Sequence, residues 1–457
     1  MSGLTTSFVA QAMRECGYLV VAGPDLPVTG GAADSRRVRP GDLFTAFPGE
    51  NTDGNLYVAN ALAAGAVAVI CERPPEGEWP GATIVVAPDA TRAVGELAHE
   101  WRRECGTAVV GITGTVGKTT TKELVAETLR ARFEVHKSEG NLNSREGLPL
   151  ALLTLRREHE VSVLEMGMDS KGEIGRLCDI AEPRVGVVLN IGLTHIEKLG
   201  SIEAIAEEKL TLPRRLPVDG TAILNMDDER VGSVRRSLGS SAIGFGRAPG
   251  AELRLIGTVD RGLAGTSISV SYRGEEAVVQ SPLPGMHVVP AALAATAVAL
   301  ALGMRLEAAG AAVSQARAEG RLRQVRSRAG ATILDDRYNA SPASVAGALE
   351  LLGRLPGRRL ALLGKMAELG DFAEEEHRRV GRIAAGNVQV LATFGELGRT
   401  LAAAAREAGL EDAQWFATKD EAARALARQL REGDTVLVKG SRSEALESII
   451  PVLEGAP

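Results

Sequence analysis

The segment GITGTVGKTTTKE, from Gly111 to Glu123, constrains this chain more than any other. An apolar approach (Ala108, Val109, Val110) runs into a glycine-bearing loop, then a lysine, a run of threonines and a helix-forming tail. That order predicts a strand, a tight loop at its end and a helix. Gly114 and Gly117 let backbone N–H groups turn toward an anion, Lys118 adds a point charge, and the helix N-terminus adds its dipole. Thr119 offers a hydroxyl suited to Mg²⁺. Ile112 stands where the longer G-x-x-x-x-G-K pattern has glycine, so the match is to the shorter threonine-glycine-x-x-glycine-lysine-threonine form. An ordinary strand–turn–helix corner requires none of these coincidences, and the segment predicts ATP binding.

A chain of 457 residues exceeds the size at which one core usually keeps growing, so two to three domains are expected. Its net charge of −6 gives nucleic acid and anionic membranes no general attraction. Cys16, Cys71, Cys105 and Cys178 are far apart and form no C-x-x-C pair, which fits reduced structural thiols better than a disulfide framework or a zinc site. The N-terminus lacks a basic start followed by a long apolar run. No stretch offers the roughly 20 apolar residues of a membrane span. The expectation is a cytoplasmic protein with no membrane insertion and no nucleic-acid partner, and a monomer.

The rhythm of the chain predicts an α/β fold in three domains. Residues 1–104 read as a small mixed α/β N-terminal domain, with strands at Asp42–Phe47 and Val67–Ile70, a helix at Tyr57–Ala66 and a polar helix at Glu96–Glu104. Residues 105–318 read as a central ATP-binding domain with a mostly parallel sheet. There, apolar runs at Val161–Leu164, Val185–Leu189 and Thr221–Leu224 alternate with helix-like segments. Alternation between Leu253 and Val279 suggests antiparallel strands at an edge, and Ala291–Ala301 a helix. Residues 319–457 repeat the rhythm as a Rossmann-like α/β domain, with strands at Thr332–Leu334, Leu360–Leu363, Val388–Leu391 and Thr435–Val438.

Several further segments extend the pattern across nearly the whole chain. They are DSRRVRPGDLFTAFPG from Asp34, GNLNSREGLPLALL from Gly140, EMGMDSKGEI from Glu165 and NIGLTHIEKLGSIEAIAEEK from Asn190. LDDRYNASPASV from Leu334, LLGKMAELG from Leu362 and VKGSRS from Val438 complete the set. Together with the phosphate loop, these resemble the Mur ligases, ATP-dependent amide-bond ligases of peptidoglycan precursor synthesis. The loop alone would be shared with folate polyglutamate ligases. The GNLN, DD-x-YNA and KGSR elements narrow the resemblance to the type that adds D-alanyl-D-alanine to UDP-N-acetylmuramoyl-tripeptide.

The resemblance implies a substrate carboxylate that attacks the γ-phosphate of ATP, and an amine that then attacks the resulting acyl phosphate. It places Lys118 on the β- and γ-phosphates, with Gly114, Thr115, Gly117, Thr119 and Thr120 around the nucleotide. Thr119, Glu165, His195 and Lys209 are the implied Mg²⁺ residues. Taken singly, Glu165 reads as a solvated strand-end carboxylate and His195 as a polar loop residue. Lys209, beside Glu207 and Glu208, reads as part of a solvated helix face. In related ligases the lysine matching Lys209 carries a carbamate, and that modification is the expectation here.

Asn141, Asn143 and Arg145 are implied to orient the acyl phosphate and the anionic substrate, although Ser144 stands where a second asparagine is frequent. Arg321 is implied at the nucleotide phosphates and Asp336 at the ribose. Tyr338 and Asn339 are implied at the substrate, and Lys439, Ser441 and Arg442 at the incoming dipeptide carboxylate. Ser35 and Arg36 are implied at the uridine diphosphate, their alternative being a polar turn before Pro40.

Three further residues depart from the family pattern. Arg337 replaces a serine and either reaches a phosphate or faces water. Lys365 replaces an acidic residue, leaving that loop's role open. Val288 replaces the asparagine expected at adenine, so either a backbone group reads the base or base discrimination is weaker. Because the nucleotide-facing Arg321 and Asp336 fall on the last domain, closure is expected to complete the site. Two other readings remain: a sister ligase with a different amino substrate, and a non-catalytic nucleotide-binding protein.

Overall fold

The computed structural model describes residues 3–49, 52–238, 241–317 and 322–455. Among these residues, three sheets account for the architecture, in chain order. The first has five strands in the order Leu19–Val21, Thr83–Val86, Ala68–Cys71, Asp42–Thr45 and Gly30–Ala32, parallel except for the first pair. The second has nine. Its parallel part runs Val135–Lys137, Val161–Glu165, Ala108–Thr113, Val185–Val188, Thr221–Asn225, Ala242–Gly246 and Leu253–Asp260. Thr266–Tyr272 and Glu275–Ser281 then add an antiparallel meander at the edge. The third has six strands, Arg323–Arg326, Thr332–Asp335, Thr435–Lys439, Arg359–Leu363, Val390–Phe394 and Ala413–Phe416, parallel after the first antiparallel pair. The α/β class read from the sequence is the observed one. The expected boundary at 318/319 lies outside the described residues.

Short strands escaped the sequence reading. Thr83–Val86, Val135–Lys137 and Ala242–Gly246 each hold three to five residues and are buried almost throughout, so no alternation marks them. The polar helix begins earlier than expected. It spans Ala90–Cys105, with Asp89 accepting from the Arg92 N–H at its start and Gly106 (φ 66°) ending it. Its apolar stripe, Ala90, Ala93, Val94, Leu97, Ala98 and Trp101, follows the 3–4 spacing of one helix face.

That stripe joins the first two units. One core cluster runs from Leu4, Val9 and Leu43 through Leu97 and Trp101 to Leu148, Ile174 and Leu212. The Trp101 indole N–H donates to Leu155 O at 3.1 Å, and Phe8 meets the indole edge-on at a 5.1 Å centroid separation. The other face of the central sheet is covered by the phosphate-loop helix, Lys118–Leu129, and by Val289–Ala301. Alanines fill most of the latter helix and let it sit close to the sheet. Among the described residues, no helix is long and apolar enough to cross a membrane.

His136, on the strand Val135–Lys137, illustrates a buried neutral group. Its Nδ1 lies 2.8 Å from Ser162 Oγ and its Nε2 2.9 Å from Thr154 Oγ1. Burial, helped by the nearby His159, pushes its pKa down from 6.5 to about 3. The unfolded chain therefore binds a proton that the folded chain refuses. The stability this neutral imidazole permits is complete above pH 6.5 and is lost as pH falls toward 3. Replacing His136 by Gln is expected to remove about 1.4 kcal/mol per pH unit from the slope of stability between pH 6 and 4. Urea titrations at successive pH values measure it, and an unchanged slope would contradict the assignment.

Candidate active site

The carboxyl ends of the central strands form one side of a cavity of about 1040 Å³, where open α/β sheets gather ligands. The strand Ala108–Thr113 leads into the loop, and Gly117 (φ 89°) starts the helix Lys118–Leu129. Gly114 has φ 157°, and a Cβ there would come within 2.9 Å of Leu189 Cβ, so the loop needs glycine for space. Asn190, at the end of the neighbouring strand, buckles the loop. Its side chain accepts from Val116 N–H at 2.8 Å and donates to Val116 O at 2.9 Å, while Thr115 N–H donates to Asn190 O. Thr115 Oγ1 accepts from Gly192 N–H at 2.8 Å.

Charged groups converge on this loop. Lys118 Nζ donates to Gly114 O at 2.8 Å and Thr115 O at 3.3 Å. Lys209 Nζ donates to the same Gly114 O at 3.1 Å from a side chain only 1% exposed. This corrects the solvated-face reading of Lys209. The short helix Ile202–Lys209 turns it inward because Glu208, its neighbour, caps another helix by accepting from Gly172 and Ile174 N–H, each at 2.7 Å. Burial, reinforced by Lys118, holds the Lys209 ammonium well below the ordinary lysine pKa against the opposing charges of Glu208 and Glu165.

Glu165 is likewise buried rather than solvated. One oxygen accepts from Thr119 Oγ1 at 2.9 Å and the other from Asn143 Nδ2 at 2.8 Å. His195 adopts a left-handed backbone (φ 68°) at the start of Ile196–Leu199. Its Nδ1 stands 3.4 Å from Asp169 Oδ1 and 3.0 Å from Glu368 Oε2, yet is buried without a hydrogen bond. Burial, then the charges of Lys118 and Lys209, push the imidazole down to about 4. Glu368, also left-handed at φ 65°, comes from the third unit and has its carboxyl raised by burial and by Asp169.

The third unit supplies the opposite wall. Asp336, Tyr338, Asn339, Lys439, Ser441 and Arg442 all line the same cavity as Lys118, Thr119, Thr120, Asn141, Asn143, Glu165 and His195. Lys439 is 1% exposed and donates to Asp336 Oδ2 at 2.5 Å and Asn339 O at 2.9 Å, so it braces the 336–339 segment from below. Ser441 is buried with its hydroxyl 3.0 Å from Ser443 Oγ. Val288 lies on the wall. Arg337 Nη1 stands 3.5 Å from Asp335 Oδ2, and Lys365 Nζ 3.7 Å from Glu444 Oε1, so the two charged departures from the family pattern each face a local carboxylate.

Not every expected residue gathers here. Arg321 lies outside the described residues. Arg145 is exposed, with only its backbone N–H held, 3.4 Å from Glu173 Oε1. Ser35 and Arg36 do not line the cavity, and Arg36 forks onto Asp34 at 2.9 and 2.8 Å on the exposed N-terminal unit. Conversely, Asn190, Asp169 and Glu368 went unread. All three sit inside the motif segments, but their spacing carries no phosphate or metal signature.

For Mg²⁺, the paired hard oxygens of Thr119 and Glu165 suit a small cation. The buried, unbonded His195 Nδ1 is the kind of orphaned atom that a ligand satisfies.

Three profiles cover the chain in order: "Mur ligase family, catalytic domain" at 27–102, "Mur ligase middle domain" at 112–299 and "Mur ligase, glutamate ligase domain" at 320–442. A Synechocystis protein named UDP-N-acetylmuramoyl-tripeptide–D-alanyl-D-alanine ligase is 35% identical across 94% of this chain and 92% of its own length. The chain belongs to the Mur ligase family. Solved structures agree. MurF from Acinetobacter baumannii superposes with a TM-score of 0.87 at 28% identity, covering both chains fully. MurF from Thermotoga maritima in complex with ADP gives 0.78 at 28% identity, covering 94% and 97%. As a Mur ligase, the chain is an ATP-using enzyme.

Proposed function

We propose that this Mur ligase joins the terminal carboxylate of UDP-N-acetylmuramoyl-tripeptide to the amino group of D-alanyl-D-alanine, converting ATP to ADP and phosphate. The observation that carries the reading is the convergence of Lys118, Thr119, Glu165 and His195 on one cavity whose far wall is the 336–341 segment, with the Lys209 amine buried behind the loop on Gly114 O. The relatives named for this reaction match along nearly the whole chain.

The chemistry follows from the charges. A substrate carboxylate oxygen bonds to the γ-phosphorus as the bond to the β,γ-bridging oxygen breaks, leaving ADP. The neutral amine of the dipeptide then bonds to the acyl carbon, its nitrogen gives up a proton as the amide forms, and phosphate departs with the electron pair of the broken C–O bond. Crowded anions oppose both steps, so electrostatic stabilisation and positioning supply most of the catalysis. The N–H groups at the start of the helix Lys118–Leu129 and the Lys118 ammonium hold the transferred phosphoryl group, and Asn141 and Asn143 orient the attacking carboxylate. Asp336, braced by Lys439, contacts the nucleotide. Thr119, Glu165, His195 and a carboxylated Lys209 would hold Mg²⁺, which when bound neutralises charge on the phosphates.

Lys209 fits that last role because burial favours its neutral amine. A neutral amine adds to CO₂ and loses a proton, turning a cation into a carbamate. Lys209→Ala is expected to lose on the order of a hundredfold or more in phosphate release, with partial recovery on adding small carboxylic acids. Full activity without bicarbonate or such acids would remove the carbamate from the mechanism.

The deciding experiment is phosphate release from purified protein with ATP, UDP-N-acetylmuramoyl-tripeptide and a series of amines. D-alanyl-D-alanine is expected to be preferred. Preference for a single amino acid would point to a sister ligase, and substrate-independent behaviour would remove the ligase reading.

A further inference from the structure

Lys122 follows Lys118 by one turn of the phosphate-loop helix, yet it does not line the cavity. Its side chain is wholly buried, at 0% exposure. Burying an ammonium costs several kcal/mol unless every N–H finds a partner, and here three acceptors surround it. Nζ donates to Ser138 O at 2.6 Å and to Gly140 O at 3.3 Å, and stands 3.2 Å from Glu123 Oε1. The other Glu123 oxygen pairs with Lys137, so the start of the 138–145 segment is clamped to the helix from two sides.

The segment then returns to the same helix. Ser138 Oγ accepts from Glu165 N–H at 3.4 Å, and Asn143 Nδ2 donates to Glu165 Oε1 at 2.8 Å. Asn143 O accepts from Gly167 N–H, and Glu165 Oε2 accepts from Thr119 Oγ1 at 2.9 Å. The path Lys122, Ser138/Gly140, Asn143, Glu165, Thr119 is a closed circuit that begins and ends within one helical turn. Within it, Asn141 and Asn143 face the cavity. An apolar side chain would suit the buried position for stability alone, since buried ions are often replaceable by packed hydrophobes without loss.

We propose that Lys122 is a positioning residue that ties the phosphate-loop helix to the 138–145 segment and thereby sets where Asn141 and Asn143 meet the sugar-peptide carboxylate. The inference rests on the ligase reading above. It predicts that removing the ammonium harms the acid substrate selectively and leaves nucleotide binding alone.

The test uses the full chain with Lys122→Met, of similar length and apolar. ADP affinity by calorimetry and the KM for ATP are expected to stay within about threefold of wild type. The KM for UDP-N-acetylmuramoyl-tripeptide should rise, and kcat/KM for it fall, by on the order of tenfold to a hundredfold, the cost of sub-ångström misplacement. Amides 138–145 should exchange hydrogen about tenfold faster. Lys122→Gln, which keeps amide donors, should recover part of the loss.

Should neither lysine variant fold, Gly140→Val serves instead. Gly140 has φ 53° and open space around a Cβ, so a β-branched residue strains this segment from the surface. It should give the same split. Equal losses for both substrates, or unchanged exchange at 138–145, overturns the proposal. Wild-type protein that releases no phosphate with the two substrates would sink the ligase reading, while the exchange comparison still decides the role of Lys122.

Discussion

Replacing Lys118 by Met is expected to lower phosphate release by on the order of a thousandfold, about 4 kcal/mol of transition-state stabilisation. The ammonium sits at the start of a helix whose first residues line the cavity, and it is held by Gly114 O and Thr115 O at 2.8 and 3.3 Å. As the γ-phosphoryl group transfers, charge spreads over its oxygens, and a fixed cation beside them stabilises that state more than it stabilises bound ATP. Arginine should not restore activity, because its planar fork cannot sit as a point charge inside a turn built for Nζ. The half-buried position leaves the fold intact, so the melting temperature should hold while kcat/KM for ATP collapses. Activity within about tenfold of wild type would show that Lys118 is not the principal phosphate contact.

Trp101→Ala should cost about 4 kcal/mol of stability, the range for emptying a large buried aromatic site. Its indole is 1% exposed, donates to Leu155 O at 3.1 Å, and packs edge-on against Phe8 with the Arg157 guanidinium 5.6 Å from the ring. Leu155 belongs to the central unit, whereas Phe8 and Trp101 belong to helices that cover the N-terminal sheet. The truncation therefore empties the joint between two units and strands a carbonyl partner. Urea denaturation should show a large drop in midpoint, and the single core cluster argues that the first two units of wild type unfold together. In the variant, the N-terminal unit is expected to melt as a separate, earlier transition. A shift below about 1 kcal/mol would mean that the joint is held elsewhere.

The phosphate loop was legible in the sequence because its demands are local. A glycine pair, a lysine and a threonine within one turn of chain satisfy backbone geometry that no distant residue can supply. The parallel sheets were legible for a similar reason, since buried strands such as Val161–Glu165 and Val185–Val188 appear as mostly apolar runs with no polar alternation along Val185–Val188. Residue chemistry elsewhere misled. Lys209 and Glu165 look solvated from their neighbours, yet both are buried: hydrogen bonds from Thr119 and Asn143 meet the Glu165 carboxylate, and Lys209 meets the Gly114 carbonyl while burial favours its neutral amine.

What the order of residues settled is the α/β layering, the ATP-binding loop and, through its motif segments, the family. The folded chain settled which charges meet. Lys209 finds Gly114 across 95 positions, His195 finds Glu368 from another sheet, and Lys122 finds the 138–145 segment beneath the cavity. Backbone conformation responds to adjacent side chains and so is written locally. Electrostatics acts through space, and the dielectric surrounding each ion exists only once the sheets have closed over it.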